Sequence, residues 1–97
     1  MPTKQYRISK KGNLKNYESF FFWKEYEKLP KHIKELADKS FEILKENSMH
    51  PSLHFKKVGN YKSVRVGKKH RAVAIEMEEG LLWFWIGTYA GYDKLLK

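Results

Sequence analysis

The sequence predicts an α+β domain in which two N-terminal helices pack on a curled antiparallel β-sheet. Three observations carry that expectation. Apolar residues between Pro30 and Glu46 recur every three or four positions, beyond Pro51 the repeat shortens to two, and the apolar runs there are joined by short turns. At 97 residues the chain suits one domain spanning 1–97, and 41% hydrophobic with 15% aromatic residues is enough to fill one core despite 32% charged residues.

Taken in order, Tyr6–Ser9 reads as a further short strand and Lys10–Asn16 as a surface loop. The segment SFFFWKEYEK suits either a short helix capped by Ser19 or an aromatic-rich strand. Phe22, Trp23 and Tyr26 fit a helical stripe, which favours a helix over Phe22–Lys28. Ile33, Leu36, Ala37, Phe41 and Leu44 then mark one face of an amphipathic helix that starts near Pro30 and ends before Pro51. Tyr61–Val66 is a strand with Val64 and Val66 on one face and Ser63 and Arg65 on the other. Gly67-Lys68-Lys69 turns the chain into a second strand, His70–Met77. After Glu78-Glu79-Gly80, the run LLWFWIG is apolar on both faces, with Leu81, Trp83 and Trp85 opposite Leu82, Phe84 and Ile86. Such a strand belongs in the middle of a sheet and needs cover on both sides. One helical layer covers only one; the other falls to the N-terminal segment, the C-terminal tail or a separate chain.

Charge is distributed as unevenly as the apolar residues. The net charge is +9, and residues 47–75 hold seven basic side chains and no acid. Lys56, Lys57, Lys68 and Lys69 are candidate phosphate contacts in that stretch, which creates a field that gathers polyanions; solubility alone is their competing role. No apolar run approaches the roughly 20 residues of a membrane span, and the basic N-terminus has no apolar block behind it, so neither an anchor nor a signal peptide is expected. The absence of cysteine excludes disulfides, thiolate nucleophiles and Cys-type zinc sites, and suits a reducing cytoplasm.

The remaining chemistry is narrow. Carboxylates are scattered, and the four histidines lack metal-ligand spacing, so no metal or cofactor is implied. Gly-rich phosphate loops and Ser/His/Asp signatures are absent. Metal-free RNA cleavage stays open: the 2′-hydroxyl attacks its own phosphate while the protein moves protons and neutralises the transition state. Arg65 and Arg71 lie on adjacent strands near one hairpin end and can flank one phosphate, although an ion pair of Arg71 with Glu76 or Asp93 is its competing role. His70 should point to the opposite face from Arg71. Tyr92, in the tail, can return over the sheet either to act or simply to pack. His50 and His54 read as loop braces, and Trp83 and Trp85 as core or partner-groove residues.

The helix followed by His50-Pro51-Ser52-Leu53, then Phe55-Lys56-Lys57-Val58, Ser63-Val64-Arg65-Val66-Gly67, His70-Arg71-Ala72, Trp83-Phe84-Trp85-Ile86-Gly87-Thr88 and Tyr92-Asp93-Lys94-Leu95, resembles the RelE/ParE superfamily of bacterial toxins. The similarity runs from about Phe22 to the C-terminus; residues 1–20 fall outside it. It implies a RelE-like fold and a cognate antitoxin that wraps the toxin and covers the apolar sheet. It also implies one of two activities: ribosome-dependent mRNA cleavage that arrests translation, or inhibition of DNA gyrase by protein binding. For the RNA-cleaving branch, an endoribonuclease acting on ribosome-bound mRNA, it points to Lys62, Arg65, Arg71 and Tyr92 as the catalytic set. The chain departs from the family pattern at Tyr89, where many relatives carry His or Arg. A plain double-stranded-RNA-binding module shares the helix–strand–strand–strand order, but that fold closes with a full basic helix, for which Ala90–Lys97 is short.

Overall fold

The computed structural model describes residues 15–96. Strand β1 (Asn16–Glu18) leads into helix α1 (Phe20–Glu27) and helix α2 (Lys31–Glu46). A 3-10 turn at Pro51–Leu53 precedes β2 (Lys56–Val58), β3 (Tyr61–Val66), β4 (His70–Met77), β5 (Gly80–Thr88) and a closing helix α3 (Tyr89–Leu96). The expected α+β class holds, with two helices ahead of the β3–β4–β5 meander. The described strands form one sheet in the order β1-β5-β4-β3-β2, antiparallel except where β1 runs parallel to β5. The strand read into Tyr6–Ser9 lies outside the described residues, as does most of the expected Lys10–Asn16 loop, whose last residue instead opens β1.

The local signals act as their chemistry requires. Ser19 caps α1: its side chain accepts from the Phe22 amide at 3.3 Å, while its hydroxyl donates to the Trp83 carbonyl at 2.9 Å and ties the helix start to β5. The helix therefore starts at Phe20, before the expected Phe22. Ile33, Ala37, Phe41 and Leu44 of α2 are buried, whereas Leu36 on the same stripe is 40% exposed. The core joins Ala37, Phe41 and Leu44 to Phe22, Val64, Val66, Ala72, Ala74, Trp83 and Ile86. Edge-on ring contacts of Phe41 with Phe22 and with Trp83, each at 5.2 Å, add about 0.5–1.5 kcal/mol apiece beyond area burial.

Two expectations about β5 need correcting. It is an interior strand, but β4 is the central one, because the unanticipated β1 adds a strand outside β5. Trp85 also leaves the face of Trp83. Ala74 pairs with Trp83 and Val73 with Trp85, so Phe84 is an extra residue at a bulge that shifts the alternation by one. Leu81, Trp83 and Ile86 consequently face the helices, and Leu82 and Trp85 face away. Gly80 adopts a positive φ (+147°) and lets the backbone before β1 approach the start of β5, because a Cβ there would lie 2.2 Å from the Lys15 carbonyl oxygen.

Candidate nucleic-acid interface

Cross-strand partners share a face of the sheet, and β3 and β4 pair Tyr61 with Ile75, Ser63 with Val73, and Arg65 with Arg71. Since Val64 and Val66 face α1 and α2, the two arginines project from the other side. There α3 folds back over one end of the sheet: Trp85 of β5 lies so close to Gly91 that a Cβ on that glycine would sit 3.0 Å from the indole.

Arg71 is buried, 1% exposed, beneath α3. Its Nε donates to Ser63 Oγ at 2.6 Å, Nη1 to Tyr89 Oη at 3.0 Å, and Nη2 to the His54 carbonyl at 2.9 Å. The guanidinium also lies over the rings of Tyr92 (5.4 Å) and Tyr89 (5.7 Å). Among the described residues no carboxylate pairs with it, so the expected alternative of an ion pair with Glu76 or Asp93 is not realised. Burying a cation costs several kcal/mol. Charge-assisted hydrogen bonds of about 1.5–3 kcal/mol each offset part of that, yet every acceptor is neutral and the positive charge itself stays uncompensated.

Arg65 is half-buried and sits at the mouth. Its Nε donates to the Gly67 carbonyl at 2.9 Å, and its Nη1 lies 3.3 Å from His54 Nε2. A guanidinium only donates, so this His54 nitrogen is the acceptor. His54 is held by both arginines, Arg71 at its carbonyl and Arg65 at its ring, in a left-handed conformation (φ 45°, ψ 49°) that a non-glycine residue rarely adopts. His50 braces the same loop: its Nδ1 accepts from the Ser52 amide at 3.2 Å.

The other sequence-selected residues separate into those that join this cluster and those that do not. Tyr92 does return over the sheet, but as a buried ring packed edge-on to Tyr89 at 5.9 Å. Lys56, opposite Ser63, is on the arginine face; Lys68 and Lys69 are exposed in the β3–β4 turn, where the Lys69 carbonyl accepts from the Tyr89 amide at 3.0 Å. Lys62 is not brought to the arginines. It lies three positions before Arg65 on one strand, an odd spacing that reverses the face, and lines a separate 310 Å³ cleft with Glu76 and Phe55. Lys57, its cross-strand partner, shares that side.

His70 also faces away from Arg71, as expected. Burial holds its pKa below the ordinary 6.5, and repulsion from His32 lowers it further.

Tyr89 belongs to the cluster and was not among the residues selected as catalytic. It is 38% exposed, and its oxygen accepts from Arg71, which leaves its own O–H to donate outward. The available signal was its place immediately after β5, at the end of the sheet where the β3–β4 turn lies.

No protein-family model matches the chain, and no curated protein matches it in sequence. Among solved structures it resembles a chain of the crystal structure of the RelB–RelE antitoxin–toxin complex from Methanococcus jannaschii. The TM-score is 0.64 at 19% identity, over 82% of this chain and 98% of that one. The shared architecture is the RelE-like fold expected from the resemblance. Among the described residues, no helix is long and apolar enough to cross a membrane.

Proposed function

We propose that this RelE-like chain is the toxin of a toxin–antitoxin pair and cleaves ribosome-bound mRNA in the cytoplasm, using the RNA's own 2′-hydroxyl as nucleophile. One observation carries the reading: two register-paired arginines occupy one sheet face, and no carboxylate among the described residues neutralises either. Such an arrangement attracts a phosphate and stabilises the extra negative charge of a phosphorane-like transition state.

In the proposed step the 2′-oxygen bonds to phosphorus and the bond from phosphorus to the 5′-oxygen breaks. The products are a 2′,3′-cyclic phosphate and a 5′-hydroxyl. Arg65, at the mouth, binds the phosphate. As Arg65 turns to the phosphate it releases His54 Nε2, whose freed lone pair accepts the proton of the attacking hydroxyl, and Tyr89 donates one to the leaving oxygen. Arg71 is too buried to touch RNA. It is a positioning residue, fixing the Tyr89 phenol and the His54 loop while adding long-range positive charge. Tyr92 supplies a wall for that guanidinium. Lys56, Lys68 and Lys69 are proposed contacts to flanking phosphates; Lys57 and Lys62, on the other face, are proposed to stand outside the reacting cluster.

The antitoxin reading rests on the neighbouring structure being an antitoxin–toxin complex and on the apolar end of the same face. There Phe21, Tyr61, Ile75, Leu82 and Phe84 line an open groove of about 430 Å³. The test is induction of the chain followed by primer-extension mapping of transcripts. Wild type should arrest protein synthesis and leave discrete breaks within translated regions, and Arg65→Gln should leave messages intact. Intact messages together with cleaved chromosomal DNA under wild-type induction would refute the nuclease reading.

A further inference from the structure

A third cleft, of about 340 Å³, opens round the edge of β3, on the side where α2 passes. It lies where β2 has ended: the pairing of β2 with β3 stops at Lys56 and Ser63, so beyond Ser63 the edge of β3 away from β4 has no strand beside it among the described residues, and Arg65 there lines the cleft together with α2. Leu36, Lys39 and Ile43 of α2 form one wall, and Ser52, His54 and Arg65 the other. Gly67 closes one end. It has positive φ, and a Cβ there would lie 2.9 Å from Leu36 Cδ1, so the wall at this point is bare backbone against a leucine methyl.

The lining is chemically one-sided. Lys39 and Arg65 are cationic, Ser40 and Ser52 carry hydroxyls, and no acid takes part. Of the neighbouring α2 carboxylates, Asp38 accepts from the Tyr26 hydroxyl at 2.7 Å, Glu42 pairs with Lys45 at 3.2 Å, and Glu35 is exposed and outside the lining. Leu36, which the core does not use, gives the cleft an exposed apolar surface beside those donors.

We infer that this cleft binds one nucleotide of a single-stranded RNA, with its phosphate between Lys39 and Arg65 and its base against Leu36 and Ile43. The volume lies near the lower limit of the roughly 300–1,000 Å³ typical of ligand clefts, which suits one nucleotide and not two. Arg65 belongs to both the cleft and the arginine cradle, so a strand crossing the open face continues into the cleft without a gap. The identity of the polymer rests on the nuclease reading above; the affinity of the cleft for a nucleoside phosphate does not.

The test is an NMR titration of the full chain, with methyl and amide resonances assigned, using 5′-AMP and in parallel inorganic phosphate. The nucleotide should shift the Leu36 and Ile43 methyls and the Gly67 amide saturably. Phosphate should shift Gly67 but leave the methyls in place, and Lys39→Gln should weaken AMP binding about fivefold. Unmoved methyls, or undiminished binding by Lys39→Gln with its spectrum otherwise native, would overturn the inference. So would tighter binding of an acidic peptide than of AMP at the same resonances, which would mark a protein interface. Message cleavage is scored separately by adding the same protein to programmed ribosomes. Methyl shifts without cleavage leave the cleft standing and remove the nuclease, whereas cleavage without methyl shifts removes the cleft alone.

Discussion

At the hairpin end of the sheet face turned away from α1 and α2, β3 and β4 set Arg65 opposite Arg71. Four residues along each strand, about 13 Å away at 3.3 Å per residue, the same two strands set Tyr61 opposite Ile75. The first end is roofed by α3, its polar groups are fixed by five hydrogen bonds from the two guanidinium groups to acceptors that are not carboxylates, and its charge is unbalanced. The second has no such roof among the described residues and presents Ile75 at 37% and Phe21 at 67% exposure. One backbone thus carries a hydrogen-bonded cationic cluster at one end and an open apolar groove at the other. A fixed, desolvated dipole array suits chemistry, because it needs no reorganisation when charge develops. Exposed aromatic and branched side chains suit association, because their burial is the driving force.

The strongest way to break this comparison is at Arg71. Arg71→Met should lower the cleavage rate about 100-fold, the loss typical when reacting groups are misplaced by about an ångström, because the Tyr89 phenol and the His54 loop lose the group that fixes them. Thermal unfolding should show the fold retained, because the methionine fills the space without a buried charge. If Arg71→Met unfolds the chain instead, the residue is a structural pin and the contrast between the ends dissolves. The opposite end provides the reciprocal case. Ile75→Glu should weaken antitoxin binding by about 2 kcal/mol or more, roughly 30-fold, and leave message cleavage unchanged. Co-purification at graded antitoxin concentration, beside a cleavage assay, reads both quantities.

Smaller effects sharpen the picture. Ser63→Ala removes the 2.6 Å partner of Arg71 Nε and should cost about 1.5–3 kcal/mol in chemical denaturation, more than expected for an isolated serine. RNA affinity should fall with salt at a log–log slope near −3.5 for about five phosphates, and Arg65→Gln should flatten that slope by about 0.7. The least effect belongs to His70. Because its folded pKa is depressed, the unfolded chain binds more protons below about 6.5, and stability should fall as pH drops from there towards the folded value. His70→Asn should flatten that decline in denaturation midpoints measured across the range.

Much of the scaffold was legible because its signals are local. Period-two patterning bounded by Gly67 and Gly80 delimits β3 and β4, and Ser19 marks the start of α1. The bulge at Phe84 was not legible, because alternation read along one strand carries no information about its partner's register. Nor was β1, three residues long and held by parallel pairing to β5, 65 positions onward from Asn16 to Leu81. Within the site, the pairing of Arg65 with Arg71 followed from hairpin geometry. The burial of Arg71 and the part taken by Tyr89 did not, because both depend on α3 folding back across the sheet. Lys62 is the instructive case: strand parity alone separates it from Arg65, and resemblance to a family obscured that parity.

In the proposed chemistry an uncompensated pair of arginines directs RNA to cut itself through its own 2′-hydroxyl. That chemistry is tested most directly by presenting programmed ribosomes with a message carrying a single 2′-deoxy nucleotide at the cut site. Wild-type protein should cut the all-ribose message, leave a 5′-hydroxyl and fail at the deoxy position, and Arg65→Gln should be inactive on both. Equal cutting of the deoxy message, or undiminished cutting by Arg65→Gln, would contradict the account.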